Sequence, residues 1–432
     1  MIRIQNGKVI DPSQGVEGDF DLLIEAGRVK AIDRPGSFNQ VSVSETFDAA
    51  GKVIFPGLID VHVHLREPGF EHKETVASGT RAAILGGFTS VAPMANTNPV
   101  NDHPLITEAI LEKARASGQA RVFPIGAVTK GQKGLELAEI GLMARAGIRA
   151  ISDDGMPVMN SGLMRRAMEY ARMFDLPVIS HAEDLNLSAG NPMTEGTVSS
   201  LLGISGNPNA SEEIMVAREV SLCRLTGARV HIAHLSTREG LEVVRRAKEA
   251  GLPVTAEVTP HHLMLNEKSW LSGNHTCAHH QIRADYKMAP PLRSERDQEA
   301  LLQALNSGLI DMVASDHAPH GCVDKETEIE LAANGILGLQ TTLPLLLELV
   351  HAKKMKLLRM VESLTTAPAK LLGLEQLGTL KPGAHADLAI VDLNETWTLT
   401  PDQLASKSVN SPFVGRKFQG RVVRTMVGGE WK

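Results

Sequence analysis

The stretch FPGLIDVHVHLREPGF, residues 55–70, places two histidines one residue apart at the end of an apolar run. In a strand, side chains alternate between faces, so His62 and His64 point one way while Val61, Val63 and Leu65 point the other. Such a pair can share a ligand. KETVASGTRAAILG follows at residues 73–86, with apolar residues at three-to-four spacing and a closing glycine, which predicts a helix. Strand, polar turn and helix make one parallel β–α unit.

The unit recurs along the chain. After VIFPGLIDVHVH come GFTSVAPM, ARVFPIGAV, IRAISDD, LPVISHAED, ARVHIAHLS, LPVTAEVTP and IDMVASDHAPH, eight strand candidates in all. Between them lie helical patterns such as LMRRAMEYARMFD, EEIMVAREVSLCRLTG and REGLEVVRRAKEAG. Eight units over roughly 320 residues predict an α/β fold, a (β/α)8 TIM-like barrel with insertions, rather than an open sheet. No G-x-G-x-x-G follows the first strand and no Walker A loop is present, so dinucleotide and P-loop readings fall away. The barrel is expected over residues 53–375 as the catalytic domain. Residues 1–52 and 376–432 carry short alternating runs punctuated by Gly, Asp and Pro, and predict a small β-sandwich in which the tail pairs with the head.

Composition narrows the chemistry. A chain of 432 residues, 43% hydrophobic and 22% charged, reads as a soluble globular protein with one large core. A net charge of -6 gives no basic footprint for nucleic acid. No window reaches the roughly 18 uninterrupted apolar residues of a membrane span. The N-terminus lacks a signal-peptide core, so the cytoplasm is the expected compartment. Cys223, Cys277 and Cys322 stand far apart with no C-x-x-C, which leaves nitrogen and oxygen to hold any metal.

In such a barrel, chemistry collects where strands end at the C-terminal face. His62 and His64 end strand one, Asp153 and Asp154 strand four, His181 strand five and His234 strand six. His261 and His262 end strand seven, and Asp316, His317 and His320 strand eight. One histidine at a strand end is more often structural than a ligand, but recurrence around a barrel points to a shared site. Imidazole with carboxylate suits zinc or a similar divalent ion, and a carboxylate can bridge two such ions, so a binuclear hydrolytic site is the natural hypothesis. Chemistry alone does not choose between Asp153 and Asp154. His231 lies three residues before His234, faces the opposite side of a strand and reads as packed; His275, His279 and His280 in GNHTCAHHQIR read as a solvated loop.

Taken in order, DVHVHLREPG, SDDG, HAED, HIAHLST, EVTPHH, PPLRS and SDHAPH resemble the amidohydrolase superfamily and, within it, the dihydroorotases of pyrimidine biosynthesis, in their bacterial form with an aspartate bridge. The resemblance spans nearly the whole chain. It implies that His62, His64 and Asp316 hold one Zn2+, that His181 and His234 hold another, and that Asp154 bridges them. Related hydantoinases, dihydropyrimidinases and allantoinases usually bridge with a carbamylated lysine, and this chain has no lysine between Lys133 and Lys248. The implied reaction is the reversible closure of N-carbamoyl-L-aspartate to L-dihydroorotate, with hydroxide supplied by metal-acidified water and Asp316 as the catalytic proton carrier.

Arg66, two residues past His64, offers a planar fork for the substrate carboxylate. By the resemblance, Asn96, His320 and the loop residues Asn334 and Gly335 join it. Ala289 in KMAPPLR stands where the family commonly has asparagine, and Asn334-Gly335 where it commonly has Phe-Gly. A homo-oligomer is expected, with aspartate carbamoyltransferase as a partner to test. Two other readings stand beside this one: a hydrolase of another cyclic amide such as hydantoin or allantoin, which Ala289 keeps open, and a structural partner of aspartate carbamoyltransferase, which retention of all six ligands argues against. His62→Ala is expected to abolish turnover of dihydroorotate while leaving the circular dichroism spectrum unchanged; wild-type turnover in that variant would refute the ligand assignment.

Overall fold

Apolar runs bounded by Gly and Pro become parallel strands in the computed structural model, which describes residues 1–271 and 284–432. Leu58–Val63, Phe88–Pro93 and Arg121–Val122 pair side by side in one parallel sheet. Ile125–Gly126, Ala150–Ile151, Val178–Ser180, Val230–Ile232, Val254–Val258 and Met312–Val313 continue in chain order in a second. The run ARVFPIGAV thus forms two short strands, because Pro124 between them has no N–H to give a ladder. A parallel bridge joins Val63 to His317, just past the last strand.

The helices predicted between strands are present, at Val76–Leu85, Ser161–Arg172, Asn209–Thr226 and Arg238–Glu249 among others. Their starts follow from their sequences: Thr75 and Ser78 form a capping box, Asn160 accepts from the Leu163 N–H, and Thr237 accepts from the Gly240 N–H. Ile59, Val61, Ala92, Ile125, Ala150, Ile179 and Met312 from six different strands form one buried cluster with Ala369 and Leu371 of the late helix Thr366–Leu371. Burying each of the larger side chains contributes about 1.5–3 kcal/mol, which fixes the strands that carry the polar residues. Among the described residues no helix is long and apolar enough to cross a membrane. GNHTCAHHQIR, with His275, His279, His280 and Cys277, lies outside the described residues.

The head and tail of the chain build a β-sandwich from one eight-stranded sheet, in which Leu388–Thr398 lies between Lys417–Val427 and Val53–Pro56. One difference from the sequence reading appears here. The run 53–64 is not a single barrel strand: Val53–Pro56 pairs antiparallel with residues 388–391 of the terminal sheet, and the barrel strand starts at Leu58. Gly57 makes the break. Its N–H donates to the Asp387 carbonyl at 2.8 Å, and a Cβ there would stand 2.1 Å from the Thr89 hydroxyl.

Asp387 also ties the two parts together. Its carboxylate accepts from Arg121 at 2.8 and 3.1 Å and from the Gly428 N–H at 2.7 Å. Asp387→Ala strands those donors and is expected to lower unfolding stability by about 1–3 kcal/mol, the figure being tempered because Arg121 is partly exposed. Denaturant titration checks this; an unchanged midpoint would show that the contact carries no weight.

Candidate metal centre

Strand one delivers His62 and His64, and the chain holds them from behind. Asp60, fully buried, accepts the His62 N–H at 3.1 Å and the Ser315 N–H at 3.1 and 3.2 Å, pinning strand one to the end of strand eight. The His64 N–H donates to the His317 carbonyl at 2.9 Å. Asp316 follows Ser315 with φ of 48°, a left-handed conformation uncommon for a residue with a Cβ and costing on the order of 1 kcal/mol or more. His234 has φ of 30°. Backbone strain of this kind is held only where the surroundings over-determine it.

Five strand ends converge on one point. His62 Nε2 lies 3.4 Å from Asp154 Oδ1 and 3.6 Å from Asp316 Oδ1. His64 Nε2 lies 3.6 Å from Asp154 Oδ2 and 3.1 Å from Asp316 Oδ1. On the other side of Asp154, His181 Nδ1 and His234 Nε2 each stand 3.5 Å from Oδ1 and 3.0 Å from one another. All six side chains are buried. The structure therefore brings together His62, His64 and Asp154 as one potential metal-holding group and Asp154, His181 and His234 as a second, sharing Asp154, with Asp316 beside the first.

The aspartate pair is resolved by position. Asp153 turns away, accepting the N–H groups of Val128 at 2.7 Å and Thr129 at 3.2 Å together with the Thr129 hydroxyl. Burial pushes its pKa up to about 6 against those hydrogen bonds. Asp154 turns inward. Burial opposes its charge, but the charge of His62 and the neighbouring His181 and His234 hold its pKa well below the ordinary carboxylate range.

The donor set fits a divalent cation. Two ligands about 2.1 Å from a tetrahedral zinc stand about 3.4 Å apart, which matches the separations across Asp154. His62 Nε2 and Asp154 Oδ1 are buried with no hydrogen-bond partner. His62 gives its Nδ1 proton to Glu257 at 2.7 Å, so Nε2 is the nitrogen turned toward the two carboxylates and the one left to serve as a ligand. The electrostatics ask for positive charge at the same place: burial disfavours a charged His62, yet Asp154, Glu257 and Asp316 drive its pKa well above the usual imidazole value.

The expected substrate residues lie at the rim. Arg66, at φ of 61°, sends Nε to the Pro319 carbonyl at 3.2 Å and an Nη to His320 Nε2 at 3.1 Å. A surface ion pair with its acidic neighbours is not what it forms: Glu67 pairs with Lys113, and Glu71 accepts the Gly69 N–H. Burial lowers the Arg66 pKa to about 10, leaving the guanidinium charged at neutral pH, and burial together with the Arg66 charge lowers that of His320 to about 2, leaving the imidazole neutral. Beside His320 opens a cavity of about 900 Å³ lined in part by Gly321, Lys325 and Asn410.

Gly335 adopts φ of 106°, and a Cβ there would fall 2.5 Å from the Ala318 Cβ, so this loop position requires glycine. Asn334 is exposed beside it. Asn96 is already engaged, its amide oxygen 2.9 Å from His64 Nδ1.

Further buried or half-buried groups stand around the cluster. Glu183 meets His181 Nε2 at 3.1 Å; burial opposes its charge, but the His181 hydrogen bond and charge bring its pKa to about 2. Glu257, in the middle of an apolar strand, meets both His62 and His231. His231 is packed, as read, yet in contact with that carboxylate. His262 is locked between Thr259 and the Pro290 carbonyl, and His261 packs against it with ring centroids 4.6 Å apart and the rings tilted by 48°. His317 Nε2 meets buried Glu74 at 3.3 Å. For Glu183 and Glu257 the only legible signal was an acid inside a quoted fragment, HAED or EVTPHH, whereas His261, His262 and His317 already stood out as strand-end histidines.

The amidohydrolase family profile matches residues 53–432. Among curated proteins, dihydroorotases of Geobacter metallireducens and Anaeromyxobacter dehalogenans are 48% and 47% identical to this chain, covering 99% of it and 98% and 96% of their own lengths. A dihydroorotase of Solibacter usitatus is 48% identical over all of this chain and 97% of its own. Among solved structures, the L-hydantoinase (dihydropyrimidinase) of Arthrobacter aurescens superposes with a TM-score of 0.86 at 28% identity, covering 100% of this chain and 95% of that one. A D-hydantoinase from Thermus sp. superposes at 0.81 with 24% identity, covering 100% and 95%, a likeness of fold.

The two aspartates predict opposite variants. Asp154→Asn is expected to lose divalent-metal binding at both groups with little change in melting temperature. Asp153→Asn is expected to keep the metal and lose about 1–3 kcal/mol of stability. Metal analysis beside thermal denaturation checks both; metal retained in D154N would contradict the shared-ligand geometry.

Proposed function

The chain belongs to the amidohydrolase family and is a cyclic amide hydrolase, and from that premise we propose that it acts as a dihydroorotase, interconverting N-carbamoyl-L-aspartate and L-dihydroorotate in pyrimidine biosynthesis. The observation that carries the reading is the Arg66–His320 pair, a guanidinium beside a neutral imidazole at the rim of a buried His/Asp cluster. Hydantoin has no carboxylate for such a fork; dihydroorotate has one.

We assign His62, His64 and Asp316 to one Zn2+, His181 and His234 to a second, and Asp154 to both. When bound, such ions acidify water at neutral pH and polarise the amide carbonyl. The chain's own residues do the rest. Arg66 grips the ring carboxylate, with Asn334 and the Gly335 backbone closing on the ring. Asn96, its oxygen held by His64, keeps its amide N–H groups for substrate. Asp316 takes the proton of the attacking water as the new C–O bond forms and delivers it to the ring nitrogen as the C–N bond breaks. In the synthetic direction it takes the ureido proton.

The parallel bridge between Val63 and His317 supports closure of the two parallel sheets into one (β/α)8 barrel. Sheet membership supports a boundary of the small β domain at Gly57 rather than after residue 52, with the return near residue 376. We place the enzyme in the cytoplasm as a homo-oligomer. Exposed Met173, Leu201 and Leu225 are available for contacts between copies or with an aspartate carbamoyltransferase.

The hydantoinase likeness, with a TM-score of 0.86, keeps a second cyclic-amide reading in view. Zinc-reconstituted protein is expected to open dihydroorotate, and Arg66→Met to raise KM about 10–100-fold with kcat changed far less. Rapid opening of a hydantoin with none of dihydroorotate would overturn the substrate assignment.

A further inference from the structure

We propose that Glu257 is a positioning residue that orients one ligand of each metal at once, fixing the His62 tautomer from behind and holding the strained His234 backbone. This rests on the metal assignment above. The carboxylate sits fully buried in the strand Val254–Val258, among otherwise apolar or small side chains. Its Oε1 accepts the His62 Nδ1 proton at 2.7 Å and the His234 backbone N–H at 3.2 Å. Its Oε2 faces His231 Nε2 at 3.0 Å, and His231 Nδ1 is braced by the Thr255 hydroxyl at 2.8 Å. The Leu235 N–H donates to the Glu257 carbonyl at 2.9 Å, so the same residue holds both sides of His234.

The geometry has a chemical consequence. A histidine can present only one lone pair, and a carboxylate accepting at Nδ1 dedicates His62 Nε2 to the ion. His234 is a non-glycine residue at positive φ, and the N–H bond to Glu257 is one of the contacts that keeps it there. His62 belongs to the ligand group on one side of Asp154 and His234 to the group on the other. One buried carboxylate therefore serves both halves of the centre, and its loss should be felt at both.

The test compares zinc affinity of wild type and Glu257→Gln by chelator competition, alongside the melting temperature of each metal-free protein. Glutamine keeps the size and loses the charge. A loss of about 10–100-fold in affinity at both sites is expected, the range typical of groups that orient metal-bound histidines, with the metal-free melting temperature within a few degrees of wild type. Wild-type affinity in E257Q, or a loss confined to one site, would overturn the proposal. Should E257Q fail to fold, 15N-histidine NMR of cadmium-loaded wild type decides: coupling of the metal to His62 Nε2 with Nδ1 protonated is expected, and coupling to Nδ1 would overturn it. Failure of wild type to bind zinc at all would instead refute the metal assignment on which the proposal rests.

Discussion

Six ionisable side chains buried around one point set the terms for the rest of this protein. Carboxylates taken out of water are costly unless paired, and breaking one such pairing typically costs about 3–5 kcal/mol. Here Asp154 faces imidazole nitrogens at 3.4 to 3.6 Å, too long for good hydrogen bonds and well suited to sharing a cation, while Asp316 meets His64 at 3.1 Å and stands 3.6 Å from His62. The barrel supplies what makes this tolerable. Parallel strands with apolar bodies end together, and five of those ends contribute one or two side chains to the cluster.

Around the cluster, the outward nitrogens of three of the four imidazoles are themselves held. Glu257 takes His62, Asn96 takes His64 and Glu183 takes His181. A ring so held offers its other nitrogen inward in one tautomer and one orientation, which is what a tight divalent site requires. Asp60 does the corresponding work for the backbone, binding strand one to strand eight so that His62 and Asp316 meet. The rim has a different character: Arg66 keeps its charge within reach of the cluster while His320 stays neutral, an arrangement that favours an anionic substrate over a neutral ring.

Much of this was readable from the chain. The members of the buried cluster were legible because each closes an apolar run, and period-two alternation puts His62 and His64 on one face. The choice of Asp154 over Asp153 came only from the resemblance and not from the chemistry of the pair, since both follow the same strand and only the Val128–Thr129 backbone, distant in sequence, decides which one turns away. The split of residues 53–64 was hidden for a similar reason. Val53–Pro56 and Leu58–Val63 are both buried throughout and run on without a turn signal other than Pro56-Gly57, and the break depends on how closely Gly57 packs against Thr89. Glu257 carried no signal of its own, because a lone glutamate in a buried strand acquires its meaning only from partners on two other strands.

The most direct test of the account is the metal itself. Crystals of zinc-reconstituted protein, measured on both sides of the zinc absorption edge, should show two anomalous peaks about 3.5–4 Å apart on either side of Asp154, one toward His62 and His64 and the other toward His181 and His234. Two such peaks would establish the shared carboxylate as the centre of the enzyme. Absence of anomalous signal there, or zinc bound only at other residues, would contradict the claim that this cluster exists to hold metal.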